Sequence, residues 1–165
     1  VNKVGHTYGA ILFAPLPAIQ LLDVSPIHSA IAALACISCG NLPDRLEFGT
    51  IPHRTITHTL SIWLAIAIYG YLLAASKAII PIGPLTATSS IIGAILCGCG
   101  AGGVSHWLGD VFNKQAVPVF TPFDTFALYL FKSGSHQRFT CGFISLVAWF
   151  FVLLLRELSF RTILN

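Results

Sequence analysis

Between Gly40 and Leu60 the sequence reads GNLPDRLEFGTIPHRTITHTL, and its residue types are those of a metal site. This stretch holds two of the chain's six histidines, His53 and His58, two of its six acidic residues, Asp44 and Glu47, and two of its nine Lys/Arg, Arg45 and Arg54. A second polar pair, His106 and Asp110, lies four residues apart, a spacing that puts both side chains on one helix face. His6 stands near the start of the chain. Imidazole and carboxylate together suit zinc, manganese or iron better than calcium or magnesium, with zinc the first expectation. Such an ion acidifies water and polarises an ester or phosphoryl oxygen. The expected ligands are His6, Asp44, His53, His58, His106 and Asp110. Arg54 is expected to stabilise an anion, and Glu47 to serve as a further ligand or general base. His28, on the opposite face or inside the first hairpin, and His136, in a Gly/Ser-rich turn without a carboxylate near it, read as ordinary surface histidines.

The elements that must position these residues are apolar. Of 165 residues 55% are hydrophobic and only 9% charged, against roughly 25% charged in an ordinary soluble protein. A chain so poor in polar residues cannot cover a water-soluble globule, so the expected fold is an all-α polytopic membrane protein, one domain over residues 1–165. Five apolar segments are expected, at least three of them full spans. The runs Gly9–Leu22, broken by Pro15 and Pro17, and Ile27–Cys39 are each short of the roughly twenty residues a span needs. They read as a shallow or re-entrant hairpin after a short polar start. The first run resembles a signal-peptide core, but its prolines and the spans that follow favour retention in the mature protein.

Thr59–Ser76 reads as a span with interfacial Trp63, Tyr69 and Tyr71. A turn at Lys77–Pro84 leads to the span Leu85–Leu108. Gly98, Gly100 and Gly103 spell G-x-G-x-x-G there without the preceding strand of a dinucleotide fold. Gly98 and Gly102 instead suit a close helix-packing face, open to a homo- or hetero-oligomeric partner. Asp110–Arg138, rich in Pro and Phe, reads as a loop or short helix in the headgroup zone, and Thr140–Leu155 as the last span. The five cysteines, Cys36, Cys39, Cys97, Cys99 and Cys141, read as small apolar residues of helices rather than as disulfides or ligands.

Counting segments puts the N-terminus and the 40–58 and 110–139 loops on one membrane face. With Lys3, Arg45, Arg54, Lys114, Lys132 and Arg138 against Lys77, Arg156 and Arg161, that face is expected to be cytoplasmic. A net charge of +3 without a basic run gives no nucleic-acid footprint. The expected partner is membrane lipid.

Leu42-Pro43-Asp44, His53-Arg54-x-x-Thr57-His58, His106-x-x-x-Asp110 and Pro122-Phe123, with His6 ahead of them, together resemble the YdjM family. These are bacterial inner-membrane proteins regarded as metal-dependent hydrolases, with a type member linked to LexA regulation. The resemblance implies that His6, Asp44, His53, His58, His106 and Asp110 are the metal positions. The family's grouping with zinc phospholipase C and P1 nuclease types implies phosphodiester chemistry. Many members carry an Asp where this chain has Leu46 or Glu47, and Thr-Pro-x-Gly where it has Asn113–Ala116. The expected function is hydrolysis of a phosphoester, phospholipid included, at the cytoplasmic membrane interface. A structural membrane subunit with a fold-stabilising metal and a metal or proton transporter are the alternatives.

Overall fold

The computed structural model describes residues 2–76, 79–82 and 85–164, with side chains of 79–82, 85–88 and 159–164 left out of account. The chain is mostly helical. Helices α1 (Lys3–Phe13), α2 (Pro15–Gln20) and α3 (Pro26–Cys39) precede a single turn, α4 (Leu42–Arg45). After a 3-10 turn at Ile56–His58 come α5 (Leu60–Ser76), α6 (Ser89–Asp110) and α7 (Gln137–Leu164). Two small antiparallel hairpins interrupt them, β1 (Ile79–Ile82) with β2 (Leu85–Thr88), and β3 (Val117–Pro118) with β4 (Thr125–Phe126). The turn expected at Lys77–Pro84 falls partly outside the described residues.

Local chemistry sets the helix starts. The Asn2 side chain accepts from the Gly5 amide at 2.9 Å, so α1 begins within the short polar start and His6 is helical. Ser25 caps α3 in the same way, with Pro26 in the first turn. Pro15 opens α2 and separates it from α1.

Helix α6 is the axis of the bundle, packed by α5 on one side and by α3 and α1 on the other. Glycine makes these approaches possible. A Cβ on Gly100 would lie 2.4 Å from the Ala67 backbone nitrogen of α5, and one on Gly98 would lie 2.2 Å from the Ala32 carbonyl oxygen of α3. The close face foreseen at Gly98 and Gly102 therefore exists, but α3 of the same chain covers it, so it is not free for an oligomeric partner. The same approach brings Cys39 of α3 against Cys99 of α6, Cα to Cα 5.0 Å, as a disulfide. This corrects the reading of all five cysteines as unpaired packing residues.

Trp63 is likewise corrected. It is buried on Gly103, and its indole donates to the Thr57 carbonyl at 2.8 Å, rather than facing the membrane surface. Tyr69 and Tyr71 are exposed. The number of full spans also differs from the three or more expected among five apolar segments. Among the described residues two helices are long and apolar enough to cross a membrane, α6 and the first 22 residues of α7. Helices α3 and α5, with 14 and 17 residues, are apolar but shorter.

Gly100→Ala should lower unfolding stability in detergent by about 1–3 kcal/mol, the usual effect of overpacking. Gly142→Ala in α7, where a Cβ meets nothing within 4 Å, should be neutral or slightly stabilising. Parallel denaturant unfolding of the two variants checks this.

Candidate metal centre

Five elements end at one place. The α1 helix brings His6, α4 brings Asp44, the loop after it Glu47, His53 and Arg54, the 3-10 turn His58, and the last turn of α6 His106 and Asp110. Every residue expected to bind metal or act beside it thus belongs to one cluster, across more than a hundred positions of sequence. His28, at the opposite end of α3, and His136, stacked on Phe131, stand apart from it.

Four donors form the centre of the cluster. His58 Nε2 lies 3.2 Å from His106 Nε2 and 3.3 Å from Asp44 Oδ1, and His106 Nε2 lies 3.5 Å from that same oxygen. Asp110 Oδ2 is 3.9 Å from His58 Nε2 and 3.7 Å from His106 Nε2. Around a tetrahedral ion with ligand distances of about 2.0–2.1 Å, donor atoms stand roughly 3.3–3.4 Å apart. The His58, His106 and Asp44 donors, 3.2–3.5 Å from one another, are close to the spacing of such a shell, and the Asp110 oxygen stands somewhat wider from both histidines.

The other ring nitrogens fix the histidines for that role. His106 Nδ1 donates to the Gly40 carbonyl at 2.8 Å, and His58 Nδ1 faces Glu47 Oε1 at 3.3 Å. The His106 ring is thereby held with Nε2 turned inward, as metal-ligating histidines are, while His58 Nδ1 also lies 3.1 Å from the Thr57 hydroxyl. Glu47 also accepts from His53 Nδ1 at 2.8 Å and from the Arg54 amide at 3.3 Å. Its carboxylate is occupied by two N–H groups and faces His58 Nδ1, which suits a positioning role rather than that of a general base. His53, with its side chain 52% exposed, is 4.0 Å from Asp44 and outside the four-donor shell. It can share an ion only with Asp44, Glu47 and His58 as a separate set.

A second group converges on the other oxygen of Asp110. His6 Nε2 lies 3.5 Å from Asp110 Oδ1, with its ring stacked on His106 at 3.7 Å, and an Arg54 terminal nitrogen lies 3.3 Å from the same oxygen. The other terminal nitrogen of Arg54 donates to the Gln115 carbonyl. Arg54 takes a positive φ of 62°, which a non-glycine residue adopts at some cost. His6 Nδ1 and Arg54 Nε are buried without a hydrogen-bond partner. Sequence reading missed Asn113, whose side-chain amide donates to Asp110 Oδ1 at 2.9 Å. Its place three residues beyond Asp110 was the available signal.

Three carboxylates against one guanidinium leave two negative charges in a largely buried cluster when the histidines are neutral. A divalent cation cancels that charge and satisfies the facing imidazole nitrogens, so the donor set fits a metal. Burial pushes the Asp44 carboxyl up, but hydrogen bonds from His106 and His58 outweigh it and hold Asp44 well below the usual carboxylate range.

Residues 5–164 match the family model described as YdjM inner membrane protein. The chain belongs to the YdjM family. No curated protein and no solved structure matches it. The matched region of this YdjM protein includes every residue of the cluster, and the inner-membrane description agrees with its two membrane-capable helices.

The depressed acidity of Asp44 sets a sign for pH dependence. Its stabilising contribution is fully present above about pH 4, the unperturbed carboxylate value. It is lost as pH falls below that toward the folded-state value. Acid titration of the apo protein, followed by circular dichroism, should show this loss, and Asp44→Asn should remove that part of the transition.

Proposed function

We propose that this YdjM protein is a metal-dependent phosphoester hydrolase whose active site is the cluster at the ends of α4 and α6. The observation that carries the reading is the surplus of polar groups on Asp110. Four donors suffice to hold one ion, yet the fold buries His6 and Arg54 against the remaining Asp110 oxygen and leaves a nitrogen of each unpartnered. A buried unpartnered polar group is destabilising, and groups of this kind aimed at a metal site suit an anionic ligand.

In this reading His58, His106, Asp44 and Asp110 hold the ion, with zinc favoured by the nitrogen and oxygen donors and the 3.2–3.5 Å spacing of His58, His106 and Asp44. The ion supplies Lewis-acid polarisation of a phosphoryl oxygen and a more acidic water. Arg54 orients and neutralises the phosphate through its guanidinium edge. His6 holds a proton or accepts one at Nδ1. Glu47 positions His58 and the Arg54 backbone, and His53 closes the exposed side.

One observation favours a second reading. Four protein donors are the complement of a closed structural zinc site, which would suit a fold-stabilising metal in a membrane subunit. Arg54→Ala separates the two. The hydrolase reading predicts retained metal and retained folding with a loss of at least about a hundredfold in turnover of a phosphodiester, in line with removal of a transition-state anion donor. Unchanged turnover, or a variant whose only defect is unfolding, would favour the structural reading. His58→Ala and His106→Ala should each lose the metal itself, as elemental analysis would show.

The polytopic arrangement we propose adds α3 and α5 as shorter, tilted or partly re-entrant segments to the two long helices, with the centre on the cytoplasmic face by its excess of Lys and Arg. The Cys39–Cys99 bridge speaks for an oxidising compartment instead. A reporter active only outside the cytoplasm, fused beyond residue 164, decides between them. Activity places the centre inside, because α7 crosses once between the 110–136 loop and the fusion, and silence places the centre outside.

A further inference from the structure

The hairpin of β3 and β4 is clamped to both helices that end at the metal centre. The Trp107 indole, next to His106, donates to the Pro118 carbonyl at 2.7 Å. The Ser61 amide and hydroxyl, three residues after His58, donate to the Val119 and Phe120 carbonyls at 2.9 and 2.7 Å. The hairpin tip, residues 119–124, therefore stands level with the first turn of α5 and the last turn of α6.

The tip satisfies its backbone polar groups among its own residues. Asp124 accepts from the Phe120 amide at 3.0 Å and from the Thr121 amide and hydroxyl at 2.6 and 3.1 Å, and its own carbonyl accepts from Val119 at 3.1 Å. The Thr121 hydroxyl takes the Phe123 amide at 3.3 Å. The two large side chains left outside are apolar, Phe120 at 76% and Phe123 at 93% exposure. Backbone whose N–H groups are satisfied internally can enter an apolar phase, and backbone that relies on water cannot. The exposed Leu64 and Ile68 of α5 continue the same apolar surface away from the tip along the helix. Phe48, beside Glu47, is another exposed ring next to the centre.

We infer that the Phe120–Phe123 tip inserts into the headgroup and acyl boundary of the leaflet beside the metal centre, and that the centre takes its phosphoester from that leaflet as a phospholipid headgroup. The occupant of the tip is the bilayer. Its two rings fix the height of the centre relative to the phosphate layer, so that a lipid reaches Arg54 without leaving the membrane. The substrate half of this inference rests on the hydrolase reading; the insertion half does not.

Two measurements on the full chain in vesicles of phosphatidylethanolamine and phosphatidylglycerol test it. In the first, Phe123→Trp is introduced and its emission, less that of the parent protein, is followed as brominated phospholipid is added. Strong quenching is expected. Emission that stays unquenched would mean a tip in water or under a partner protein, and would overturn insertion. The second compares the parent with the Phe120→Ser, Phe123→Ser double variant on vesicle phospholipid and on bis(p-nitrophenyl) phosphate. The expected result is a fall of at least tenfold in kcat/KM on the lipid, carried by KM, with the soluble diester and the metal content unchanged. Equal rates on the lipid, or an equal fall on both substrates, would overturn the lipid assignment. If the parent hydrolyses neither substrate, the hydrolase reading fails and takes the substrate half with it, while quenching still decides insertion.

Discussion

A carboxylate buried at the end of the central helix is the constraint around which this protein is arranged. Asp110 is 2% exposed, and such a charge in an apolar bundle is stable only with a matching positive charge and hydrogen bonds. One of its oxygens forms a set with His58 and His106, and the other meets His6, Arg54 and Asn113. Segments from distant parts of the chain converge on that charge, α1 with His6, the loop after α4 with Arg54 and the 3-10 turn with His58.

The glycines of α6 make the convergence possible. They let α3 and α5 approach backbone to backbone, which sets the Gly40 carbonyl within reach of His106 and starts α5 close enough for His58 to face it. Two indoles then tie the irregular segments to the helices, Trp63 to the loop at Thr57 and Trp107 to the hairpin at Pro118. Packing, in this protein, is the means by which imidazole tautomers are chosen. The Nδ1 group of His106 is taken by the Gly40 carbonyl, that of His58 lies between the Thr57 hydroxyl and Glu47, and both Nε2 groups face the same space.

Much of this was legible in the sequence because chemistry and hydropathy are local. The histidines and carboxylates stand out against apolar runs, and the four-residue spacing of His106 and Asp110 places them together without any tertiary information. The bounds of α5 follow from its apolar run. What could not be read depended on neighbours in space. Trp63 looks interfacial by position, yet Gly103 opens a slot that buries it. Gly98 and Gly102 mark a close contact without saying that α3 fills it, and the Cys39–Cys99 pairing is a by-product of that contact. The distinction between His53 and Glu47 as ligands or as positioning groups rests on which ring nitrogen faces which oxygen, something no spacing encodes. The span count differed because apolar runs measure composition, and a 14-residue run such as α3 can serve as a packing helix as well as a crossing.

X-ray absorption at the zinc edge of the loaded full-length protein tests the central claim most directly. The account predicts a shell of four nitrogen and oxygen ligands at about 2.0–2.1 Å, with outer scattering from two imidazoles and no sulfur. A sulfur shell at about 2.3 Å, or a spectrum indistinguishable from hydrated zinc, would contradict it.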